Sequence, residues 1–230
     1  MRDDICSIPV SEVFEPKDGC PICTLRNTLE ERMLEYIMGA AMMESDVRIE
    51  TNKKGFCPEH LQKMLGRRNR LSMALILDSH LKELLSELFS KSLFKADPKK
   101  QAAKINERLS SCFVCEKIEW GMSRLLETVC RLYGTERDFR NLFSEQDCLC
   151  LPHYARLIDN IKRVDKRYAS EFSKDCERLA GEYLTSLSGD VEHFTKMFDY
   201  RNSGEDADWG NSKDSIERSV WYLTSNGDNK

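Results

Sequence analysis

The chain has 230 residues, with 35 Lys and Arg against 39 Asp and Glu, for a formal net charge of −4 at pH 7. That length allows one large domain or two small fused ones, enough to bury roughly 70% of the unfolded surface. Eleven Gly and six Pro are few, which favours long helices over a turn-rich β fold, and the charge balance excludes a bulk polycation.

No run approaches the ~18 apolar residues that a membrane span requires, and residues 1–19 lack the apolar core of a signal peptide. A soluble cytoplasmic protein is expected. Ten cysteines would suggest disulfides in a secreted chain. Without an export signal, and with six of the ten in motif spacing beside histidines, metal ligation is the favoured use.

Taken in order, residues 1–19 read as an irregular lead-in with a short helical turn at 11–15. Cys20-Pro-Ile-Cys23 then opens a helix whose apolar positions are Leu25, Leu29, Met33, Tyr36, Ile37 and Ala40, at helical spacing. A short connection over 46–55 ends in Gly55, with a helical turn at 46–49. Cys57-Pro-Glu-His60 starts a helix over 58–65. The leucine-rich stretch 70–94 is the longest periodic segment, ending near Asp97-Pro98 because the residue before proline disfavours helix. A helix over 101–109 leads to Cys112-Phe-Val-Cys115. Helices are expected over 117–133, with Gly134 as the stop, over 136–143, and over 152–187 after Cys150-Leu-Pro-His153. The chain closes with a helix over 190–200, a loop over 201–211, a helix over 212–223 and a frayed tail. No stretch shows strand alternation.

Residues 20–60 can be laid over 112–153. The dithiol pairs and Glu44-Ser-Asp-Val-Arg48 over Glu136-Arg-Asp-Phe-Arg140 share an offset of 92, and the Cys-x-x-His pairs an offset of 93. Met33, Leu34, Ile37 and Ala40 meet Leu125, Leu126, Val129 and Leu132. A duplication accounts for this register. It also selects Cys150 as the second-repeat ligand, since Cys148 has no counterpart and reads as an incidental small hydrophobe, ahead of a spare thiol near the site or an alternative ligand.

The chemistry follows from the spacing. Two residues between cysteines let both sulfurs face one ion, and a helix start supplies unpaired N–H groups that suit thiolates. A histidine three positions after a cysteine lies on the same side of a first helical turn. Cys20, Cys23, Cys57 and His60 are thus expected to form one closed Cys3His site, and Cys112, Cys115, Cys150 and His153 the other. A closed tetrahedron marks a structural site, and zinc, two ions per chain, is the expected occupant. Each ion would clamp a connection of more than 30 residues with about 10 kcal/mol or more.

Other uses were weighed against these. Cys20-Pro-Ile-Cys23 alone resembles a thiol–disulfide motif, but its copy lacks the proline and no βαβ pattern accompanies it. A thiol or zinc regulator that releases metal on oxidation or senses metal is the alternative reading. Arg67, Arg68 and Arg70, and Lys162, Arg163, Lys166 and Arg167, invite a nucleic-acid reading, set against a pI of about 5.7 and interleaved acids; a solvated helix face is the plainer use. His80 reads as a packed or surface residue, and His193 has no carboxylate partner at i, i+3. Candidate ligand-binding residues are Arg48 and Arg140, which repeated helix-end salt bridges would also explain, with Tyr200, Arg201, Asp208, Trp209 and Asn211. The last five belong to a polar loop that Trp209 packing would also explain. No complete catalytic constellation is present.

With these residues in view, the chain resembles a family of uncharacterised bacterial, Firmicute-type proteins with duplicated metal-binding helical repeats. The likeness rests on Cys20–Cys23, on the stretch from Asp46 through Gly55-Phe-Cys57 to His60, on Cys148–His153, on Phe198-Asp-Tyr-Arg201 and on Trp209–Asp214. It implies two metal sites and no established activity. The reading from sequence is therefore an all-α protein of two zinc-clamped helical repeats, 1–98 and 99–187, with a C-terminal extension over 188–230. It would serve as a cytoplasmic scaffold for a protein or small-molecule partner, off the membrane and away from nucleic acid.

Overall fold

A computed structural model of the chain describes residues 7–89, 97–199 and 208–226. Among these residues every regular element is helical, as the scarcity of Gly and Pro and the absence of strand alternation predict. The elements form two compact units, one made of Met1–Asn27 with Met122–Lys230 and the other of Thr28–Gly121. The contacts therefore divide the chain differently from the expected 1–98, 99–187 and 188–230. The boundaries fall inside two long helices, α2 (Pro21–Met38) and α7 (Phe113–Thr135).

In the unit Thr28–Gly121, α2 is followed by a 3-10 turn (Ala40–Met43), α3 (Ser45–Lys54), α4 (Pro58–Gly66), α5 (Arg70–Phe89) and α6 (Pro98–Ser110). Helix α5 packs against α3, α4 and α6. It buries Ser72, Met73 and Ile76, and the core also takes in Leu34, Ile37, Met38, Ala41, Met64, Phe113, Val114 and Ile118. The 46–55 stretch, expected as a connection with one helical turn, is helical throughout. Gly55 ends it at φ 61, a conformation that favours glycine. The Gly55 carbonyl accepts the Phe113 N–H (3.0 Å) and Ser111 Oγ donates to the Lys54 carbonyl (2.6 Å). Those two bonds hold the entrance of α7 beside the entrance of α4. The Asp97 side chain caps α6 through the Lys99 N–H (2.9 Å), with Pro98 at the first helical position, where its missing N–H costs nothing.

In the other unit, α1 (Ser7–Phe14), α8 (Arg137–Ser144), α9 (Leu151–Asp159), α10 (Ala169–Lys196) and α11 (Ser215–Thr224) surround an aromatic core. Phe14, Tyr133, Phe139, Phe143 and Phe172 meet at centroid distances of 4.9–5.6 Å, with Phe14 and Phe143 stacked and the other pairs tilted or edge-on. The one phenol among them donates to Asp175 Oδ2 (2.7 Å), so its burial leaves no polar atom unpaired.

Three further features differ from the sequence expectation. Gly134 does not stop α7, which runs on to Thr135. Glycine is required there for close approach, since a Cβ at 134 would lie 2.7 Å from the Asp165 nitrogen. The expected 152–187 helix is broken over 160–168 by a 3-10 turn (Ile161–Arg163) and by Asp165, whose carboxylate accepts the Arg167 N–H (3.0 Å). Beyond it, the helices expected over 152–187 and 190–200 merge into the 28-residue α10. Tyr200, Arg201, the rest of the 201–207 loop and the end of the 70–94 helix lie outside the described residues.

Candidate metal centres

Each dithiol sits at a helix entrance. Cys20 precedes α2 and Cys23 lies in its first turn, while Cys112 and Cys115 stand the same way at α7. Cys57 and Cys150 are the N-cap residues of α4 and α9, each with proline at a first helical position. His60 and His153 follow one turn on. Both thiolates and the imidazole therefore lie where the backbone N–H groups are unpaired and the helix dipole is positive.

The structure gathers these eight residues into two Cys3His clusters, but with the partners exchanged relative to the expectation. Cys20 and Cys23 meet Cys150 and His153; Cys57 and His60 meet Cys112 and Cys115. Sequential pairing gives way to a tertiary contact. The Gly55–Phe113 and Lys54–Ser111 hydrogen bonds set the entrance of α7 beside that of α4, so Cys57 and His60 meet Cys112 and Cys115. Each cluster lies wholly within one compact unit.

The donor atoms are spaced as the edges of a tetrahedron. Zinc–ligand bonds of about 2.3 Å to sulfur and about 2.0 Å to nitrogen predict S···S edges of about 3.8 Å and S···N edges of about 3.5 Å. Cys23 Sγ lies 3.6 Å from Cys150 Sγ, and His153 Nδ1 lies 3.1, 3.3 and 3.8 Å from Cys150, Cys23 and Cys20. In the other cluster Cys57 Sγ lies 3.8 Å from Cys115 Sγ, and His60 Nδ1 lies 3.0, 3.3 and 3.4 Å from Cys57, Cys112 and Cys115. These sulfurs are too far apart for disulfides, whose S–S bond is about 2.05 Å.

The electrostatics call for a cation. Bonds to Cys150 and Cys20 push the Cys23 thiol up, and burial pushes Cys115 up, with Cys112 adding to it. Within each cluster one thiol goes the other way. Burial opposes ionisation of Cys112, but His60 and the backbone N–H groups of Cys115 and Cys57 outweigh it and bring its pKa down to about 6. Burial likewise opposes ionisation of Cys20, and Cys150, Cys23 and His153 reverse it. One thiolate per cluster forms readily, and its charge resists ionisation of Cys23 and Cys150 in one cluster and of Cys115 in the other. A divalent ion at the centre removes that repulsion.

The clusters differ in their surroundings. Cys20, Cys23, Cys150 and His153 are all buried, whereas Cys57 and Cys112 are half-buried and Cys115 is exposed. His60 Nε2 donates to Glu30 Oε1 (2.9 Å), and Glu30 Oε2 accepts from Lys63 (2.7 Å), which also bonds Glu59 (2.9 Å). This carboxylate fixes the ring so that Nδ1 faces the sulfurs. Sequence reasoning missed Glu30. Its counterpart at an offset of 92 is Met122, fully buried, so the repeat register gave no signal for it. Gly55 also bears on this cluster, because a Cβ there would sit 3.1 Å from the His80 ring. His80 itself is held by the Asn52 carbonyl (3.0 Å).

Cys148 stays outside the cluster. It is fully buried, and burial raises its pKa, with Cys20 and Cys150 adding to the effect. The other candidates serve local structure. Arg48 donates twice to the Met42 carbonyl (3.1 and 3.3 Å), and Arg140 donates to the Tyr133 carbonyl (2.9 Å) while stacking on Tyr168 at 3.8 Å. Both guanidinium groups bond helix-end carbonyls. Trp209 packs against Phe194 and Phe198, the Asp208 carbonyl accepts from His193 (2.9 Å), and the Asn211 carbonyl accepts from Arg218. The described part of that loop is tied down by its own contacts.

The chain matches the model of a family of unknown function, DUF6062, over residues 1–230. It belongs to that family. No curated protein and no solved structure matches it. This DUF6062 chain carries, among its described residues, no helix long and apolar enough to cross a membrane.

The exchanged pairing has a direct readout. In Cys57→Ser, amide hydrogen exchange should accelerate at the α7 entrance, residues 113–118, while the α2 entrance at 21–26 keeps its protection. Faster exchange at 21–26 instead would restore the sequential pairing. Glu30→Gln should weaken one of two metal equivalents by roughly 10–100-fold in competition with a chromophoric chelator; unchanged affinity at both would remove the role given to Glu30.

Proposed function

We propose that this protein is a zinc-stabilised helical scaffold, carrying one structural Zn2+ in each Cys3His cluster and presenting its helical surfaces to a protein or small-molecule partner. The observation that carries this reading is the spacing of the donor atoms along tetrahedral edges in both clusters. Three thiolates and an imidazole complete the coordination of zinc and leave no open position for a substrate, which favours a structural ion over a catalytic one. Soft sulfur donors select zinc over magnesium or calcium.

Duplication of an ancestral unit accounts for the design. Helices α2, α3 and α4 begin at Pro21, Ser45 and Pro58, and α7, α8 and α9 begin at Phe113, Arg137 and Leu151, offsets of 92, 92 and 93. Exchange of halves between the two copies would give the crossed clusters. A cytoplasmic location fits, because thiolate ligands persist where thiols are kept reduced. A nucleic-acid role is disfavoured by acids that answer the basic clusters: Arg67 pairs with Glu31 (2.6 Å), Arg163 with Glu127 (3.0 Å) and Arg167 with Asp165 (2.9 Å). For a small molecule, the unit Thr28–Gly121 offers a cleft of about 580 Å3, in which Lys54 pairs with Glu116 and Arg108 with Glu87.

A second reading, a redox-responsive zinc site, is favoured at one cluster by the exposure of Cys115. There, two thiolates would give two electrons to a peroxide. An S–S bond would form as the O–O bond of hydrogen peroxide breaks, its two oxygens would take up two protons from solvent and leave as two waters, and Zn2+ would be released.

Elemental analysis of protein purified without chelator should return close to two zinc ions per chain; a value near zero would sink the scaffold reading. Under mild peroxide, the redox reading expects one zinc to be released and the buried cluster to keep its own. Release of neither, or of both together, would count against it.

A further inference from the structure

Helix α5 buries one face and leaves the opposite one bare. Leu71, Ala74, Asp78, Leu81, Leu85 and Phe89 follow one another at intervals of three and four residues, which places them along a single stripe. Four of them are large apolar side chains with 56–69% of their surface exposed: Leu71, Leu81, Leu85 and Phe89. Water contact along about 30 Å of helix is an unusual arrangement for leucines at core spacing, and such stripes mark association surfaces. Near the middle, Asp78 and Lys82 form an exposed i, i+4 pair at 2.7 Å.

We infer that this stripe is the interface with a second copy of the same chain, the two α5 helices packing antiparallel about a two-fold axis near residue 80. The sequence of the stripe selects this occupant, because it is complementary to its own reverse. With a rise of about 1.5 Å per residue, Leu71 falls level with Phe89 of the partner copy, and Ala74 beside Leu85 of the partner copy. Leu81 meets its own counterpart at the axis. Asp78 falls level with Lys82 of the partner copy, and Lys82 with Asp78, so two ion pairs form reciprocally. A small residue opposite a large one, and an acid opposite a base, repeat on both sides of the axis, as an isologous contact demands. A parallel pairing would instead set Asp78 against Asp78 and Lys82 against Lys82.

The test exploits that reciprocity. Sedimentation velocity on the zinc-loaded chain, from low-micromolar to near-millimolar concentration, should show the wild type passing from monomer to dimer. Asp78→Lys places Lys against Lys twice, and Lys82→Asp places Asp against Asp twice, so each variant alone should dimerise at least roughly tenfold more weakly. An equimolar mixture of the two variants restores both ion pairs and should recover the dimer. The intramolecular Asp78–Lys82 pair is lost in both variants and does not return on mixing, so recovery reports the contact between copies. Leu81→Glu with Leu85→Glu should abolish dimerisation while the helical circular dichroism is kept. A wild type that stays monomeric would overturn the inference and leave the stripe to a different protein or to the chain's own 90–96 segment. A dimer indifferent to all of these substitutions, or a mixture that fails to recover, would equally overturn it.

Discussion

Everything local in this protein depends on the mutual repulsion of three sulfurs held within van der Waals reach of one another. The fold places them there by using helix entrances, where backbone N–H groups and the dipole accept negative charge. It then adds an imidazole nitrogen at 3.0–3.8 Å from each sulfur. Such a cluster is unfavourable until a cation fills it. The free energy recovered, on the order of 10 kcal/mol for a structural zinc ion, rivals the whole net stability of an ordinary domain. An ion bound in the unit Thr28–Gly121 would therefore contribute a large share of that unit's stability.

The two clusters answer the same constraint in different surroundings. One is closed off in a buried environment, with an apolar Met122 where the other has Glu30. The other keeps an exposed Cys115 and orients its histidine through a chain of charges from Glu30 to Lys63 to Glu59. A carboxylate behind the imidazole raises the basicity of the ligand, which offsets the greater access of water. Burial would secure an ion in one cluster and polar support an ion in the other.

The helical class, the eight donor residues and the position of each dithiol at a helix entrance were all legible in the sequence, because residue spacing maps directly onto helical geometry. The pairing of the clusters was not. Both pairings use the same residue types, and spacing along the chain carries no information about which helix entrances meet in space. That is set by tertiary contacts such as the Gly55–Phe113 and Lys54–Ser111 hydrogen bonds. Glu30 was invisible for a related reason: a glutamate on a helix face is ordinary until tertiary structure brings a histidine to it. The bonds of Arg48 and Arg140 to helix-end carbonyls join groups six and seven residues apart, which a repeated Asp-x-Arg does not by itself specify. Gly134 read as a helix stop because its role, admitting the backbone of Asp165, involves residues thirty positions away.

The most direct test of the account is a crystal structure of the purified protein with data collected on both sides of the zinc absorption edge. The account predicts two anomalous peaks, one bounded by Cys20, Cys23, Cys150 and His153 and the other by Cys57, His60, Cys112 and Cys115, each about 2.3 Å from its sulfurs. Peaks bounded by Cys20, Cys23, Cys57 and His60, or no peak at either cluster, would contradict it.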